Sequence, residues 1–100
     1  MIRVYVDEFV GIGNFLEKMA TIHKGYILVE KDQLVELLRR NNYDSWENKL
    51  RLWKGLKWID TEGRYLTKRV KDKESGVYKR YVKLDISILE LLRKLPRQSR

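Results

Sequence analysis

From Arg64 to Leu84 the chain reads as two strand-like runs joined by a turn. Arg64 to Lys71 and Val77 to Leu84 flank Asp72-Lys73-Glu74-Ser75-Gly76, and the glycine suits a hairpin loop longer than two residues. Up to Lys83 the stretch holds eight basic residues, Arg64, Lys68, Arg69, Lys71, Lys73, Lys79, Arg80 and Lys83, against Asp72 and Glu74. Its net +6 makes up most of the chain's formal +8. By alternation, Leu66 and Val70 share a face with Tyr78, Val82 and Leu84 across from them. Thr67, Arg69, Lys71, Lys79, Tyr81 and Lys83 then fall on the opposite face. One face can pack, and the other repels itself unless solvent or an anion covers it. The rest of the chain has to supply the surface on which that hairpin packs.

Ser45 to Lys54, just before it, is a short helical pattern. Asp44 or Ser45 caps it, and Asp44 with Glu47 has capping-box spacing. Steps of 100° put Trp46, Lys49, Leu50, Trp53 and Leu56 on one side, and Glu47, Asn48, Arg51 and Lys54 on the other. The helix thus buries tryptophans and offers a polar, mostly basic face. Trp58-Ile59-Asp60 follows as a brief apolar segment.

Upstream, Ile2 to Val6 alternates in a strand-like way, whereas Asp7-Glu8 could open a long helix. Gly11 and Gly13 weigh against the long helix, because each costs roughly 1 kcal/mol in a helix interior. Asn14-Phe15-Leu16-Glu17 is the cleaner start, with Asn14 as cap and Glu17 reaching back. Leu16, Met19, Ala20 and His23 keep helical spacing, so the helix is expected to end near Lys24, with Gly25 as its stop. Gly11-Ile12-Gly13 is not a phosphate loop, lacking the third glycine and the lysine. Tyr26 to Val29 is a short β-type run. Asp32 caps a second helix, with Leu34, Val35, Leu37 and Leu38 inward and Glu36, Arg39 and Arg40 outward. Asn41-Asn42-Tyr43 is turn chemistry. Ser87 to Glu90 forms another capping box, and Leu91, Leu92 and Leu95 extend that helix to Pro96. Arg97 to Arg100 form a frayed tail.

One hundred residues fit a single α+β domain, with a core over about 14–95 and a tail at 96–100. A hydrophobic share of 43% is enough to offset ordering entropy. With no cysteine there is neither a disulfide framework nor a thiolate metal site. No signal-peptide pattern is present, and the apolar runs are too short to span a bilayer. A cytoplasmic protein is expected, nucleoid-associated if bacterial or phage. The pI near 9.8 favours an anionic partner: nucleic acid, an acidic protein or an anionic membrane surface. No nucleophile–base pair, phosphate loop or metal cluster is in view, so no enzyme and no cofactor is expected. His23 stands alone, without a second ligand. The spacing of Trp46, Trp53 and Trp58 favours core over stacking on single-stranded bases.

The order helix, short strand, helix, turn, helix, hairpin, helix resembles the winged helix-turn-helix superfamily, over roughly Asn14 to Leu95. Asp32 to Leu38 matches the first helix of the helix-turn-helix, and Ser45 to Lys54 the second. Leu56-Lys57-Trp58-Ile59-Asp60 is similar to the apolar step leading into the wing. That step usually carries a glycine just before its apolar pair, where this chain has Lys57. The resemblance implies a sequence-specific binder of double-stranded DNA, either a small transcriptional regulator or a protein marking a replication or partition site. It implies that the helix at 45–54 lies in the major groove, Arg51 on guanine and Asn48 on adenine, with Lys54 at phosphate. Ser45 would help hold a phosphate at the helix start. Arg69, Lys71, Lys73, Lys79 and Arg80 would follow the backbone or probe the minor groove. The leucines of the last helix either pack on the first helix or join two copies as a homodimer. The rival implication is a winged-helix adaptor that binds protein in a replication or transcription complex, and RNA is a third partner class.

Overall fold

The computed structural model describes residues 2–40, 45–72 and 74–95. It is an α+β fold of four helices and a small antiparallel sheet. In chain order the elements are α1 (Ile2–Met19), β1 (Thr21–His23), β2 (Tyr26–Val29), α2 (Lys31–Arg40), α3 (Trp46–Gly55), β3 (Ile59–Asp60), β4 (Lys68–Lys71), β5 (Tyr78–Asp85) and α4 (Ile86–Arg93). The expected turn at Asn41-Asn42-Tyr43, the cap at Asp44, Lys73, Pro96 and the tail lie outside the described residues.

The first helix departs most from expectation. It neither starts at Asn14 nor leaves a strand before it, and it ends at Met19, not near Lys24. Val6, Phe9, Val10, Gly13 and Leu16 form its buried stripe, at the spacing of one helix face. Tertiary burial of that stripe outweighs the β-branched start. Asn14 and Glu17 do not cap the helix. They receive Arg93 of α4, whose Nε donates to Asn14 Oδ1 at 2.8 Å and whose second nitrogen reaches Glu17. His23 lies on a strand, not on the helix. Lys24 and Gly25 both have positive φ, at 50° and 86°, and close the β1–β2 hairpin as a two-residue turn.

Gly13 has a packing reason. A Cβ there would stand 2.7 Å from both terminal carbons of Leu89, a fully buried residue of α4. Gly11, one position off that stripe, has open space around it.

The sheet has the order β1-β2-β5-β3, and β4 pairs with the outer half of β5. Val82 to Asp85 pair with β2, and Lys83 and Leu84 also pair with β3. Tyr78 to Tyr81 pair with β4 alone. One strand therefore serves first the projecting hairpin and then the core. The core gathers Phe9, Ile27, Val29, Leu34, Leu38, Leu50, Trp53, Trp58, Val82, Leu84 and Leu89 from every layer. Phe9 meets Trp53 edge-on at 5.1 Å and Trp58 at 5.0 Å. Trp46 is only half-buried.

Helix ends also differ in detail. α2 begins at Lys31, so Asp32 sits in the first turn, where its carboxylate favours the helix dipole, rather than at the cap. Leu34 and Leu38 are buried and Val35 and Leu37 half-buried, while Glu36 pairs with Arg39 and Arg40 on the outside. α4 is capped by Asp85 and not by Ser87: the Asp85 carboxylate accepts from the Ser87 and Ile88 amides at 2.9 and 3.3 Å. α3 runs through Gly55 and ends on Lys57, which takes φ 62°. Trp58 N donates to Trp53 O at 2.8 Å and Lys57 N to Lys54 O at 3.0 Å, a Schellman closure with lysine in the left-handed position.

The two glycines of α1 should respond oppositely to alanine. Gly11→Ala should stabilise by about 1 kcal/mol through helix propensity. Gly13→Ala gains the same term but forces Leu89 out of its seat, at about 1–3 kcal/mol, and should be neutral to destabilising. Urea melts of the two variants check this. Equal stabilisation would mean that α4 does not seat closely on α1.

Candidate nucleic-acid interface

Register divides the hairpin's charges in a way that simple alternation of the two runs missed. Lys68 pairs with Tyr81, Arg69 with Arg80, Val70 with Lys79 and Lys71 with Tyr78. Val70 therefore shares a face with Lys68, Lys79 and Tyr81, not with Tyr78 and Val82. Arg69 and Lys71 stand with Tyr78 and Arg80, on the face that β5 continues inward as Val82 and Leu84. The expected face of Thr67, Arg69, Lys71, Lys79, Tyr81 and Lys83 does not form: Arg69 and Lys71 are on one side, and Lys79, Tyr81 and Lys83 are on the other. The connection between the two strands sets this register: Tyr78, not Val77, stands opposite Lys71, which shifts the faces of β5 by one residue relative to β4.

That inward-continuing face opens onto a groove of about 1250 Å³ between α3, the start of α2 and the hairpin base. Six cationic side chains line it, Lys31, Arg51, Lys54, Arg64, Lys79 and Arg80, against Glu30 and Asp32. Trp46, Tyr65, Leu66 and Thr67 complete its wall. The Lys31 ammonium lies 4.9 Å from the Trp46 ring centroid, and the Arg80 guanidinium 4.1 Å from that of Tyr65.

The residues expected to bind DNA take different places. Ser45 is exposed at the N-cap of α3, with φ −44° and ψ 129°. Asn48 and Arg51 are exposed on its outer face, and Arg51 lies 3.8 Å from Glu47, one turn earlier. Lys54 is half-buried. Its ammonium donates to the carbonyls of Gly63 at 2.9 Å and Tyr65 at 3.2 Å, fastening the loop before β4 to the end of α3. Lys49, by contrast, is buried on the inner side and pairs with Glu8 of α1. Lys71 and Lys79 are exposed.

Two carboxylates organise the hairpin base. Glu62 accepts from Arg69 Nε at 3.2 Å and from its terminal nitrogen at 3.0 Å, and lies 3.3 Å from Arg80. Asp60 bridges Lys68 at 3.0 Å and Lys83 at 3.4 Å. The hydrogen bond from Arg69, the partial burial that opposes it, and the charges of Arg69 and Arg80 together leave the Glu62 carboxyl below its ordinary value. At Asp60 burial pushes upward, and the hydrogen bonds and charges of Lys68 and Lys83 outweigh it, so its carboxyl is lowered too. Lys68 and Arg69 are raised in return, each by its carboxylate partner.

Sequence spacing gives Lys31 and Tyr65 no part in the site, and assigns Glu62 and Thr67 no binding role. Their neighbours are fixed by β4–β5 register and by the approach of α2 to α3, which local periodicity does not encode. No protein-family model matches the chain, and no curated protein has a significantly similar sequence. Among the described residues no group of acidic residues and histidine could hold a metal ion, and no helix is long and apolar enough to cross a membrane.

The clasp at the hairpin base should be acid-labile. Depressed carboxyls contribute stability above their ordinary values of 3.8 and 4.5 and lose it as pH falls through the folded values. The raised Lys68 and Arg69 lose theirs only at strongly alkaline pH, Lys68 as pH climbs past its ordinary 10.5. Cross-strand amide contacts of β4–β5 should therefore hold from about pH 5 to about pH 9 and weaken below about pH 4. Glu62→Gln should lose part of that acid step. Contacts that weaken already near pH 6 would place the sensitivity elsewhere.

Proposed function

We propose that this chain is a winged helix-turn-helix protein that binds double-stranded DNA sequence-specifically. In this reading α3 enters the major groove and the β4–β5 hairpin rests on the backbone. The observation that carries it is the cation-lined groove between α3 and the hairpin, with Arg51 on one wall and Arg80 on the other. An α-helix matches the roughly 12 Å width of the major groove. The pairing of β5 with β2 on the body side and with β3 after α3 supports the winged-helix reading. So does Lys57, whose left-handed backbone takes the conformation that the missing glycine would supply.

Arg51 and Asn48 are the base-reading side chains, and Arg69, Lys71 and Arg80 meet phosphates from the helix-facing side of the hairpin. Lys79 meets a neighbouring phosphate from the groove edge. Lys54 acts mainly by holding the loop that carries Tyr65. The tip is less suited to the minor groove than the hairpin's strands. Asp72 organises it by accepting from Glu74 N and Ser75 Oγ, and its carboxylate would face phosphate repulsion there. A regulator of transcription, or a protein marking a replication or partition site, fits this mode of binding.

Arg51→Ala should cost about 1–3 kcal/mol at the preferred duplex and much less on scrambled DNA. Folding should be nearly unchanged, because the pair with Glu47 is exposed and adds little. Titration of both duplexes at one salt concentration tests this. Uniform loss would make Arg51 a phosphate contact. No loss on either would remove α3 from the groove and favour the protein-adaptor reading.

Two half-sites would call for a homodimer. Leu91 on α4 and Leu95, two residues past its end, are exposed, and they are the apolar contacts a second copy would cover. Light scattering should then give twice the monomer mass, and Leu91→Glu should return it to the monomer. A monomeric wild type at binding concentrations would discard the dimer.

A further inference from the structure

Glu62 holds both arginines of the hairpin's helix-facing side. Arg69 approaches Oε2 with two nitrogens, at 3.2 and 3.0 Å, while its backbone N–H lies 3.3 Å from Oε1. Arg80 lies 3.3 Å from Oε1 and donates to Thr67 Oγ1 at 3.4 Å. A guanidinium donates to carboxylate and phosphodiester oxygens alike, and here both Arg69 nitrogens donate to one such oxygen. The three side chains are 56%, 38% and 32% exposed for Arg69, Arg80 and Glu62, so an incoming anion can reach them. Exposed ion pairs contribute little to folding, so exchanging one partner for another is not opposed by a large stability loss.

The arginines have other supports. Arg80 stacks on Tyr65, and Arg69 lies 5.8 Å from the Tyr78 ring centroid. Glu62 is also fixed from behind, its amide donating to Thr67 O at 3.1 Å. The arrangement is a two-arginine anion site whose occupant belongs to the chain itself.

We propose that Glu62 stands in for a backbone phosphate: Arg69, Arg80 and the Thr67 hydroxyl form a phosphodiester site that the Glu62 carboxylate fills until nucleic acid displaces it. This rests on the DNA-binding reading and adds a residue that acts against binding. An internal carboxylate penalises every duplex alike, so weak non-specific complexes lose proportionally most of their occupancy. Glu62 thereby lowers the affinity for every duplex without touching a base.

The test is duplex binding by the full chain across a salt series, comparing wild type with Glu62→Gln. The variant should bind random duplex about tenfold tighter at low salt, with a salt slope steeper by about 0.9, the value of one phosphate contact. In an Arg69→Gln, Arg80→Gln background the same change should have no effect. Cross-strand amide contacts between Arg69 and Arg80 verify that the hairpin stays paired. If Glu62→Gln unpairs it, Glu62→Asp, which withdraws the carboxylate by one methylene, should still tighten binding by a smaller factor, and failure to do so overturns the proposal. A wild type that binds duplex, with a paired Glu62→Gln variant that binds no tighter, overturns this proposal alone. Absence of duplex binding in both proteins overturns it together with the DNA-binding reading.

Discussion

The contact of Phe9 with Trp53 and Trp58 is the interaction on which the other elements depend. It joins the middle of α1, the end of α3 and the entry to β3 in one aromatic cluster. Removing Phe9 would empty the centre of three elements at once. The Schellman closure at Lys57 belongs to the same cluster, since its two hydrogen-bonded ends include Trp53 and Trp58 themselves. The indole N–H of Trp53 has no hydrogen-bond partner among the described residues. That polar cost is accepted where large rings fill the space between helices, and it marks how strongly packing dominates here.

Charged residues repeat this logic at the periphery. Lys49 ties α3 to α1 through Glu8, Arg93 ties α4 to α1 through Asn14 and Glu17, and Asp60 ties β3 to both β4 and β5. A strongly cationic chain thus spends several of its few acidic side chains at joints between elements. Two cations that line the groove, Arg51 and Arg80, also lie beside carboxylates of the chain, Glu47 and Glu62.

Much of the architecture was legible because it is locally periodic. The buried side of α3, the short strand at Tyr26, the inward leucines of α2 and the two hairpin runs all follow from spacing alone. Errors arose where local signals competed. Asn14 and Glu17 have the spacing of a cap and are used as a receptor for Arg93. Gly13 lowers helix propensity and yet permits the seat of Leu89. Asp85 caps α4 with its carboxylate, the role that capping-box spacing gives to Ser87. The hairpin's faces differ from simple alternation because Val77 lies outside β5 and Tyr78 stands opposite Lys71, a one-residue shift that spacing within either run does not reveal. The exposed positions of Asn48 and Arg51 were legible by helical phase, whereas the partners of Arg69, Arg80 and Lys54 were not, because they depend on nonlocal approach.

β5 runs without a break from Tyr78 at the outer hairpin to Asp85, which caps α4. The same strand is clamped between β2 and β3 over its second half. The hairpin is thus a cantilever built into the wall of the domain, lacking a flexible joint at its root within this strand. A load on its outer end is borne by Val82 and Leu84 and passed on to α4. Bending the hairpin at its root would mean breaking the pairing of β5 with β2 or β3.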